Sequence, residues 1–511
     1  RGTSVSSSSS LSPTEAARRL IQKWQPNPSL FAAEALGARL WSQQQRILTA
    51  LAKPGARVAV RSGHKVSKTH TAATALHWFA QTHKRGRAIF TGPTYGNLVK
   101  VLWPEVRRIY RESRHPLGGR LYDDVSKGLQ LPGDREIFGL TVKDPEAFAG
   151  LSGDILFVVD EGSGVSEAIF DAIFGNTAGG ARVLVIGNPT RVSGTFYDAF
   201  HSKRAAWTTI HVDSRTTPNF PRGFIDTEGF SLDDLARLPP VPASQRIPGL
   251  ATPEWVVWAA EQWGVGTPQW DVRVCGNFPT QGDDSVIPLA FVEDAKLRFA
   301  RMEEDGQAPT GPLRIGVDVA RFGDDETVIQ PLRGDVALPK VVLHHQDTVQ
   351  VAGEVLRVAA ELREYGEEPP KVKVDATGLG AGVVDQLMRH TSSVRVYAVD
   401  AGSSPTMQPE HGAGYSRLRD QLWFAARLWL RDRGALPEEP KLEAELVAPC
   451  YRFDETGRIK VERKEDTKKR LRRSPDRADA LNLAIYDPPE VIVLPSRVDS
   501  GRRKMASTGG F

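Results

Sequence analysis

Short apolar runs rich in β-branched residues recur along this chain, and segments with apolar residues at helical spacing separate them. This alternation predicts strands that alternate with helices, which is typical of an α/β fold with largely parallel sheets. The runs fall into two groups, at residues 57–60, 88–90, 155–159 and 183–186, and at residues 315–319, 328–330, 371–374 and 394–399. The sequence therefore predicts two α/β units.

A proline-rich region and a polar stretch separate the two groups of strands. Five prolines lie between residues 239 and 253, and residues 303–312 are mostly polar. A serine run at residues 6–10 lacks the apolar core of a signal peptide and indicates a loose terminus. We therefore expect a flexible tail at 1–25, a first domain at 26–280 whose part from about 205 to 280 is helical or lid-like, a linker at 281–312, a second domain at 313–488 and a flexible tail at 489–511.

Composition excludes several classes of protein but does not identify one. The 511 residues are 40% hydrophobic and 25% charged, which provides a sizeable core and excludes global disorder. Two cysteines, Cys275 and Cys450, exclude a disulfide framework and fit a reducing compartment. Apolar runs long enough to span a membrane are absent from the sequence. The net charge of +4 is too close to neutral to indicate a partner.

A candidate phosphate-binding loop follows the first predicted strand. Its residues are Arg61, Ser62, Gly63, His64, Lys65, Val66, Ser67, Lys68 and Thr69, and a helical pattern follows. Strand, loop and helix in this order form the context of a P-loop, whose backbone N–H groups hold phosphates at a helix N-terminus. Lys68 would reach the β- and γ-phosphates, and Thr69 would bind Mg²⁺. Because Ser62 and Ser67 replace both glycines of the usual G-x-x-x-x-G-K-[ST] pattern, an ordinary turn is the alternative.

Polar residues follow two further strands of the first group. The run at 155–159 ends in Asp160 and Glu161, and Asn188 follows the run at 183–186. Parallel strands deliver their last residues to one edge of the sheet, beside the loop. There Asp160 could order the Mg²⁺ shell, Glu161 could orient or deprotonate the attacking water, and Asn188 could sense the γ-phosphate. The alternatives are a solvated strand end and an Asn-Pro turn.

Separated aspartates mark the second group of strands. Asp318 lies inside an apolar strand of a predicted hairpin, where an unpaired carboxylate is costly, and Asp375 ends another strand. Asp476 and Asp479 lie one turn apart on a predicted helix. Carboxylates from two strands and a helix could hold two Mg²⁺ or Mn²⁺ ions for phosphodiester cleavage. Taken singly, each aspartate has the alternative of a strand end or a helix cap.

A basic segment precedes the last two aspartates. Residues 456–473 contain nine basic and three acidic groups, a net charge of +6, which the near-neutral total conceals. Beside a metal–carboxylate site such a segment suits the backbone of a DNA duplex. Without the aspartates, a solvated face would be the simpler interpretation.

In this order, the motifs resemble those of the large terminase subunit of tailed bacteriophages, over about residues 40–487. Residues 40–48, Leu-Trp-Ser-Gln-Gln-Gln-Arg-Ile-Leu, are similar to the family's adenine-contacting glutamine motif, with Gln44 as the contact. The other matching segments are residues 60–69, 92–95, 101–103, 159–161, 187–190, 217–220, 276–279, 317–318, 375–378 and 474–480. Each segment is weak alone, and the ordered series is specific.

The resemblance implies an N-terminal ASCE-type P-loop ATPase domain followed by an RNase H-like nuclease domain. Its cofactors would be ATP and Mg²⁺, with Mn²⁺ as an alternative at the nuclease site. The catalytic residues would be Glu161, Asp318, Asp375 and Asp476, with Asp479 as a further metal ligand. The charge-stabilising arginine would be Arg61 in cis or a neighbouring subunit's arginine such as Arg135.

The resemblance also implies partners and a place of action. ATP hydrolysis would drive viral double-stranded DNA into a procapsid, and the nuclease would cut that DNA to start and end packaging. A ring of subunits would act on the portal protein with a small terminase subunit, in the cytoplasm of the infected host, away from membranes and absent from the mature virion. Two alternatives remain: a cellular helicase- or recombinase-type ATPase with a resolvase-like nuclease, and a non-hydrolysing DNA-binding assembly factor.

Overall fold

The computed structural model describes residues 12–140, 151, 153–221, 235, 241–279, 284–320, 326–407 and 414–488. Two separate sheets, each with helices packed against it, confirm the predicted α/β class. Within these described residues no helix is both long and apolar enough to cross a lipid bilayer.

The first sheet has eight strands and contains every predicted strand of the first group. These strands are β1 (Arg57–Ser62), β2 (Gly86–Thr91), β3 (Arg120–Leu121), β4 (Leu129–Leu131), β5 (Arg135–Gly139), β6 (Asp154–Asp160), β7 (Arg182–Gly187) and β8 (Thr208–Val212). Their spatial order is β3-β4-β5-β2-β6-β7-β1-β8. In this spatial order, every neighbouring pair from β5 onward is parallel. Strand β7 thus lies between β1 and β6, which is the order of an ASCE-type ATPase domain.

Helices cover both faces of this sheet. Those of eight or more residues in the described part are α1 (Pro13–Trp24), α2 (Ser42–Leu51), α3 (Lys68–Thr82), α4 (Trp103–Glu112) and α5 (Glu167–Gly175). A further helix, α6 (Pro253–Trp263), packs instead in an apolar cluster that contains Ala444 and Leu471. Helix α3 is buried along most of its length, because Ala, Thr and large apolar residues on it contact both the sheet and α4. It starts where the loop after β1 ends, and so its N-terminus faces the carboxyl edge of the sheet.

Two predicted boundaries of this part need correction. The predicted tail at 1–25 contains helix α1, because Ser12 and Glu15 form a reciprocal capping box at its start. The region from 205 to 280, predicted as helical or lid-like, begins with strand β8, which pairs in parallel with β1. Only Ile210 and Val212 are buried in β8, and so its short, half-polar sequence concealed the strand.

The second sheet contains the predicted strands of the second group. Its strands are β9 (Leu313–Asp318), β10 (Thr327–Arg333), β11 (Val336–Ala337), β12 (Val341–Leu343), β13 (Lys371–Asp375) and β14 (Arg395–Val399). The order is β11-β10-β9-β13-β14, with β12 also on β10. Strands β9 and β10 form the predicted antiparallel hairpin, whereas β9, β13 and β14 are parallel. This mixed order is that of an RNase H-like domain, as expected.

The remaining elements surround this second sheet. A separate antiparallel pair consists of β15 (Tyr451–Phe453) and β16 (Ile459–Val461). The longer helices are α7 (Leu289–Glu304), α8 (Thr348–Leu362), α9 (Gly380–Leu387), α10 (Leu418–Asp432), α11 (Pro440–Val447), α12 (Lys464–Leu471) and α13 (Asp476–Ile485). Residues 489–511, the predicted C-terminal tail, lie outside the described residues.

The predicted linker at 281–312 is not extended chain, because most of it is helix α7. Leu289, Val292 and Ala295 of this helix are fully buried in one apolar cluster with Trp423 and Trp429 of α10. The polar residues that suggested a linker follow the end of the helix. Helix α7 therefore packs with the second sheet's helices while it also approaches the first sheet.

A glycine in β9 brings helix α13 directly onto the second sheet. A Cβ atom at Gly316 would lie 2.0 Å from the Ala480 carbonyl oxygen and 2.4 Å from the Ala484 nitrogen. Such distances are far below van der Waals contact, and so any larger residue would push the helix away. This close approach positions Asp476 and Asp479 of α13 beside Asp318 at the end of β9.

Candidate functional sites

The loop between β1 and α3 contains two non-glycine residues in the left-handed region. Lys65 and Ser67 have positive φ angles of 55° and 61°. A Cβ atom at Gly63 would lie 2.2 Å from Ser214 Oγ and 2.4 Å from the Val274 carbonyl oxygen. Glycine is therefore required at position 63 by packing, whereas Ser67 occupies the left-handed region at a cost of roughly 1–2 kcal/mol.

The other loop residues take different positions. Lys65 is exposed, whereas Val66 is buried in the apolar core of the first sheet. Thr69 lies in the first turn of α3, where a magnesium ligand of this loop is expected. The backbone N–H of His64 donates to the Arg273 carbonyl oxygen at 2.6 Å, which fixes the loop to the chain segment behind it.

Asn188 joins the loop to Lys68. Its Nδ2 donates to the Ser62 carbonyl oxygen at 2.6 Å, and its Oδ1 accepts from Lys68 Nζ at 3.1 Å. Lys68 Nζ also donates to the Gly63 carbonyl oxygen at 3.1 Å. The ammonium group therefore points back over the loop, where phosphate oxygens would compete for it.

The acids at the end of β6, Asp160 and Glu161, lie beside Lys68 and Asn188. Asp160 is buried, and its Oδ1 accepts from the Glu161 backbone N–H at 3.1 Å. Burial raises the pKa of Asp160, the charge of Glu161 adds to the increase, and Lys68 opposes it. Glu161 Oε2 accepts from the backbone N–H of Asn188 at 3.3 Å. The structure thus brings together Lys68, Asp160, Glu161 and Asn188, which come from three strand ends.

A cavity of about 210 Å³ opens beside Glu161 and Asn188. Three of its lining residues, Arg191, Arg273 and Lys296, had not been recognised from the sequence. Arg191 pairs with Asp294 of α7. Because Arg191 comes three residues after Asn188, its place near a strand end could have marked it as a site residue in the sequence. Arg273 and Lys296 approach from distant segments, and no local pattern marks them.

Two arginines were predicted for the phosphate site, Arg61 in the same chain and Arg135 from a neighbouring subunit, and both side chains have partners within this chain. Arg61 Nη1 donates to the Gly276 carbonyl oxygen at 2.7 Å and to Asn277 Oδ1 at 2.8 Å, and it lines a different cavity. Arg135, at the start of β5, donates to the carbonyl oxygens of Pro132 and Gln81. Arg61 thus precedes the loop directly, but its guanidinium points away from the cavity beside Glu161.

Gln44 is buried, and both ends of its side chain have partners. Its Oε1 accepts from the Trp41 backbone N–H at 3.2 Å, and its Nε2 donates to Thr71 Oγ1 at 3.2 Å. It thereby holds the start of α2 against α3. The neighbouring Gln43 has a buried Oε1 without a hydrogen-bond partner among the described residues. Each end of the amide keeps one further hydrogen-bonding position, because the group carries two N–H donors and an oxygen with two lone pairs.

The aspartates of the second sheet surround one lysine. Lys464 Nζ lies 3.4 Å from Asp318 Oδ2, 3.0 Å from Asp476 Oδ1 and 2.8 Å from Asp479 Oδ2. Burial raises the pKa of Asp318, and Lys464 opposes that increase. Burial would lower the pKa of Lys464, but the three carboxylates hold it well above its usual range. Asp375 lines a second cavity together with Lys464 and Asp479. Its Oδ1 accepts from the Thr377 backbone N–H at 2.9 Å.

This donor set suits a divalent cation, because carboxylate oxygens are the ligands that Mg²⁺ and Mn²⁺ prefer. As the side chains stand, the described residues contain no group of three or more His, Cys, Asp or Glu spaced to hold a metal ion. The Lys464 ammonium occupies the position between the carboxylates as an internal cation. The residues therefore fit a metal ion on the condition that Lys464 moves aside.

The basic segment before α13 is only partly a solvated face. Arg470 pairs with Glu462, and Arg473 Nε lies 3.2 Å from the buried Glu445 Oε1. Lys460 and Arg463, in contrast, line the cavity that also contains Asp375 and Asp479. Part of the positive charge therefore faces the carboxylates.

Comparisons with known proteins agree with the motifs. No protein-family model matches the sequence. The chain is 24% identical over 481 residues to the probable terminase, large subunit, of Enterobacteria phage P7, which covers 87% of each chain. The nuclease domain of the large terminase subunit of bacterial virus Sf6 is 19% identical and covers 40% of this chain and all of that domain, with a TM-score of 0.34. The large terminase of a thermophilic bacteriophage is 12% identical and covers 88% and 98%, with a TM-score of 0.37.

Proposed function

We propose that this chain, a large terminase subunit of the type found in tailed bacteriophages, uses ATP hydrolysis to drive viral double-stranded DNA into a procapsid and cuts that DNA to start and end packaging. One observation carries the proposal: a single chain holds a Lys68–Asn188–Glu161 cluster on one sheet and an aspartate cluster on another. The similarity to the phage P7 protein over most of both chains supports it.

At the first site, the N-terminus of α3 and the loop N–H groups would bind the phosphates of ATP. Lys68 would exchange its bond to Asn188 for a γ-phosphate oxygen. Glu161, fixed by the Asn188 backbone N–H, would orient the attacking water and accept its proton. Thr69 and Asp160 would hold Mg²⁺, which when bound offsets the charge of the phosphates.

Arg191 would supply positive charge near Glu161. It lines the same cavity as Glu161 and Asn188, whereas Arg61 and Arg135 are bonded elsewhere. For Arg191 to reach a phosphate, it must exchange its pairing with Asp294. Arg191 is therefore a candidate within the same subunit, and an arginine of a neighbouring subunit such as Arg135 remains the alternative.

At the second site, Asp318, Asp375, Asp476 and Asp479 would hold two divalent cations, Mg²⁺ or Mn²⁺. When bound, such a pair stabilises the attacking and leaving oxygens of phosphodiester cleavage. The chain's own residues exclude bulk water from Asp318 and Asp476, both of which are buried. Lys460 and Arg463 at the same cavity would bind backbone phosphates of the duplex.

The partners would be the portal protein of the procapsid, a small terminase subunit and further copies of this chain in a ring on the portal. The place of action would be the cytoplasm of the infected bacterium, and the mature virion would lack the protein. The family resemblance supports these partners and this location.

The test is an ATP-dependent packaging assay with procapsids, scored by the DNA that becomes protected from added nuclease. Lys68→Ala should abolish ATP hydrolysis and packaging while plasmid cutting persists, and Asp318→Asn should stop metal-dependent cutting. Lys84→Ala, an exposed lysine beyond the end of α3, is the matched control. Normal ATP turnover by Lys68→Ala would refute the ATPase site. Strand displacement would indicate a helicase-type enzyme, and ATP binding without hydrolysis in the presence of DNA and portal would indicate an assembly factor.

A further inference from the structure

Helix α13 begins at Asp476, and its N-cap residue, Pro475, contributes no side-chain hydrogen bond. The cap comes from α11 instead. Glu445, which is 1% exposed, accepts through Oε2 from the backbone N–H groups of Arg477 and Ala478, at 3.0 and 3.2 Å. A carboxylate of another helix therefore holds the start of α13, where it also offsets the positive end of the helix dipole.

The carboxylate of Asp476 is oriented by the segment that leads into β10. Its Oδ2 accepts at 2.9 Å from the backbone N–H of Glu326, the residue directly before β10. Its Oδ1 lies 3.0 Å from Lys464 Nζ, the ammonium group that is also within 3.4 Å of Asp318 and Asp479. One oxygen is thus bound to the Glu326 backbone, and the other is aimed at the position proposed for a metal ion.

Arg477 in turn holds the side chain of Glu326. Arg477 Nε donates to Glu326 Oε2 at 2.9 Å and Nη2 donates to Glu326 Oε1 at 3.1 Å, so that the planar guanidinium matches both carboxylate oxygens. Nη1 of the same group donates at 2.7 Å to Oε1 of Glu439, which precedes α11. The Arg477 side chain is only 13% exposed, and so little water competes for these bonds. They fix the segments before β10 and α11 to the first turn of α13.

We propose that Arg477 is a positioning residue of the nuclease site: its guanidinium holds Glu326 so that the backbone N–H of Glu326 aims the Asp476 carboxylate at the metal position. The inference rests on the proposed nuclease function. Arg477 acts through Glu326, because its guanidinium nitrogens bind glutamates and not the aspartates. Replacing a residue that orients a metal-binding carboxylate typically lowers metal affinity or activity by about 10- to 100-fold.

Calorimetric titration of the full chain with Mn²⁺ tests the proposal. Arg477→Lys keeps the charge but loses the planar fork, and we expect it to weaken Mn²⁺ binding by about 10- to 100-fold. Glu326→Gln keeps the size of the side chain but removes its charge, and it should weaken binding by a similar factor. The double variant should bind about as weakly as the weaker single variant, because both changes loosen the same bond to Asp476.

Arg333 provides a matched control at the opposite end of β10. Its side chain is 9% exposed, and its Nη1 lies 3.3 Å from both carboxylate oxygens of Glu367. Glu367 accepts from the backbone N–H of Leu313, which begins β9, whereas Asp318 ends that strand. Arg333→Lys should therefore lower the melting temperature, as Arg477→Lys should, but leave the Mn²⁺ affinity unchanged. An effect that only reflected lost stability would appear in both variants.

Asp476→Asn separates this inference from the nuclease function on which it rests, because it removes a proposed ligand and should abolish the same binding event. Mn²⁺ binding that persists unchanged in Asp476→Asn would refute the nuclease site and, with it, the role of Arg477.

If Asp476→Asn loses Mn²⁺ binding while Arg477→Lys retains wild-type affinity, the positioning role alone is overturned. Losses that multiply in the double variant would also overturn it, since the two residues would then act by separate routes. If Arg477→Lys does not fold, Glu326→Gln decides in the same way. Plasmid cutting by Arg477→Lys should recover as Mn²⁺ is raised, whereas cutting by Asp476→Asn should not.

Discussion

The Lys68 ammonium donates to Asn188 Oδ1 at 3.1 Å, and the same asparagine donates through its backbone N–H to Glu161 at 3.3 Å. One residue at the end of β7 therefore contacts both the lysine of the phosphate loop and the acid proposed to orient water. If a γ-phosphate replaces Asn188 as the partner of Lys68, the freed amide is next to Glu161. On the proposed function, the presence of the phosphate would thereby be communicated to the acid over a single residue.

Replacement of Asn188 should uncouple these groups. Asn188→Ala removes the bonds to Lys68 and to the Ser62 carbonyl oxygen, each worth about 1–3 kcal/mol when a charged or buried group is involved. We expect kcat for ATP hydrolysis to fall by roughly 10- to 100-fold with a smaller change in KM. Asn188→Asp should instead raise KM, because the new charge holds Lys68 more tightly. Steady-state ATPase kinetics check both variants.

Plasmid cutting by the two Asn188 variants is the internal control, because Asn188 lies on the first sheet and the carboxylates lie on the second. Cutting should match the wild type. An Asn188→Ala protein with unchanged kcat would show that the asparagine merely closes a turn.

Ser67 should be better replaced by glycine than by a β-branched residue. Its φ angle of 61° is left-handed, which costs a non-glycine residue roughly 1–2 kcal/mol. Ser67→Gly removes this strain but loses up to about 1 kcal/mol through the more flexible unfolded chain, and so stability should stay equal or rise slightly. Ser67→Val, which is stiff at χ1, should lower it by more than about 1 kcal/mol. Denaturant unfolding measures all three proteins.

The ATPase rate completes this prediction. Ser67→Gly restores the usual loop residue and should retain activity. Equal stability of the glycine and valine variants would contradict the left-handed geometry at this position.

Sequence patterns predicted four strands of each sheet, because most of these strands are buried on both faces and have continuous apolar runs, whereas the other strands of both sheets were not predicted. Strand β8 was missed, since the edge of the sheet leaves Thr208 and His211 exposed and its pattern half polar. Helix α7 was missed for a different reason. Its apolar face meets Trp423 and Trp429, more than 120 residues further along the chain, and so nothing local separates it from a linker.

The candidate sites also contain residues that the sequence could predict and residues that it could not. Asp160 ends a strand, whereas Lys68 and Asn188 follow strands. The geometry of a parallel sheet brings strand ends together, and so their proximity could be predicted. Lys464 and Arg273, in contrast, do not lie at strand ends. The position of Lys464 among three carboxylates depends on how α12 packs beside α13, and that of Arg273 depends on contacts across about 170 residues of sequence. Such long-range side-chain contacts leave no periodic signal.

Glu443 of helix α11 binds Arg273, whose backbone supports the phosphate loop, and so Glu443 should be important for stability. It is 1% exposed, accepts from Arg273 Nη2 at 2.7 Å and pairs with Lys296 Nζ at 3.1 Å. Glu443→Gln removes the anion and leaves two buried cations with weaker compensation. We expect a loss of about 3–5 kcal/mol in the free energy of unfolding. Because the Arg273 carbonyl oxygen binds the His64 backbone N–H, KM for ATP should also rise.

Glu303→Gln is the matched control for this prediction, because Glu303 is exposed near the end of α7. It should change stability by less than about 0.5 kcal/mol. A Glu443→Gln protein as stable as this control would mean that the buried network contributes nothing measurable to the folded state.

Lys464 should compete with divalent cations for the aspartates. Its Nζ lies within 3.4 Å of oxygens from Asp318, Asp476 and Asp479, and so metal binding must displace it. In EDTA, Lys464→Ala should melt at a lower temperature than the wild type, because the carboxylates lose their internal counter-charge. With Mn²⁺ or Mg²⁺ added, the variant should gain more stability than the wild type, since the ions no longer compete with an ammonium group.

Thermal unfolding across a metal titration measures this difference, and calorimetry of Mn²⁺ binding gives the affinities directly. Lys469→Ala is the control, because Lys469 lies on the same helix and forms an exposed pair at 3.7 Å from Asp466. It should behave as the wild type in both conditions. If metal ions stabilise Lys464→Ala and the wild type equally, the lysine does not occupy the metal position, and the cations bind the carboxylates from another side. A larger gain for Lys464→Ala would instead identify the lysine as the group that the metal replaces, which accounts for three carboxylates converging where the described residues hold no preformed metal cluster.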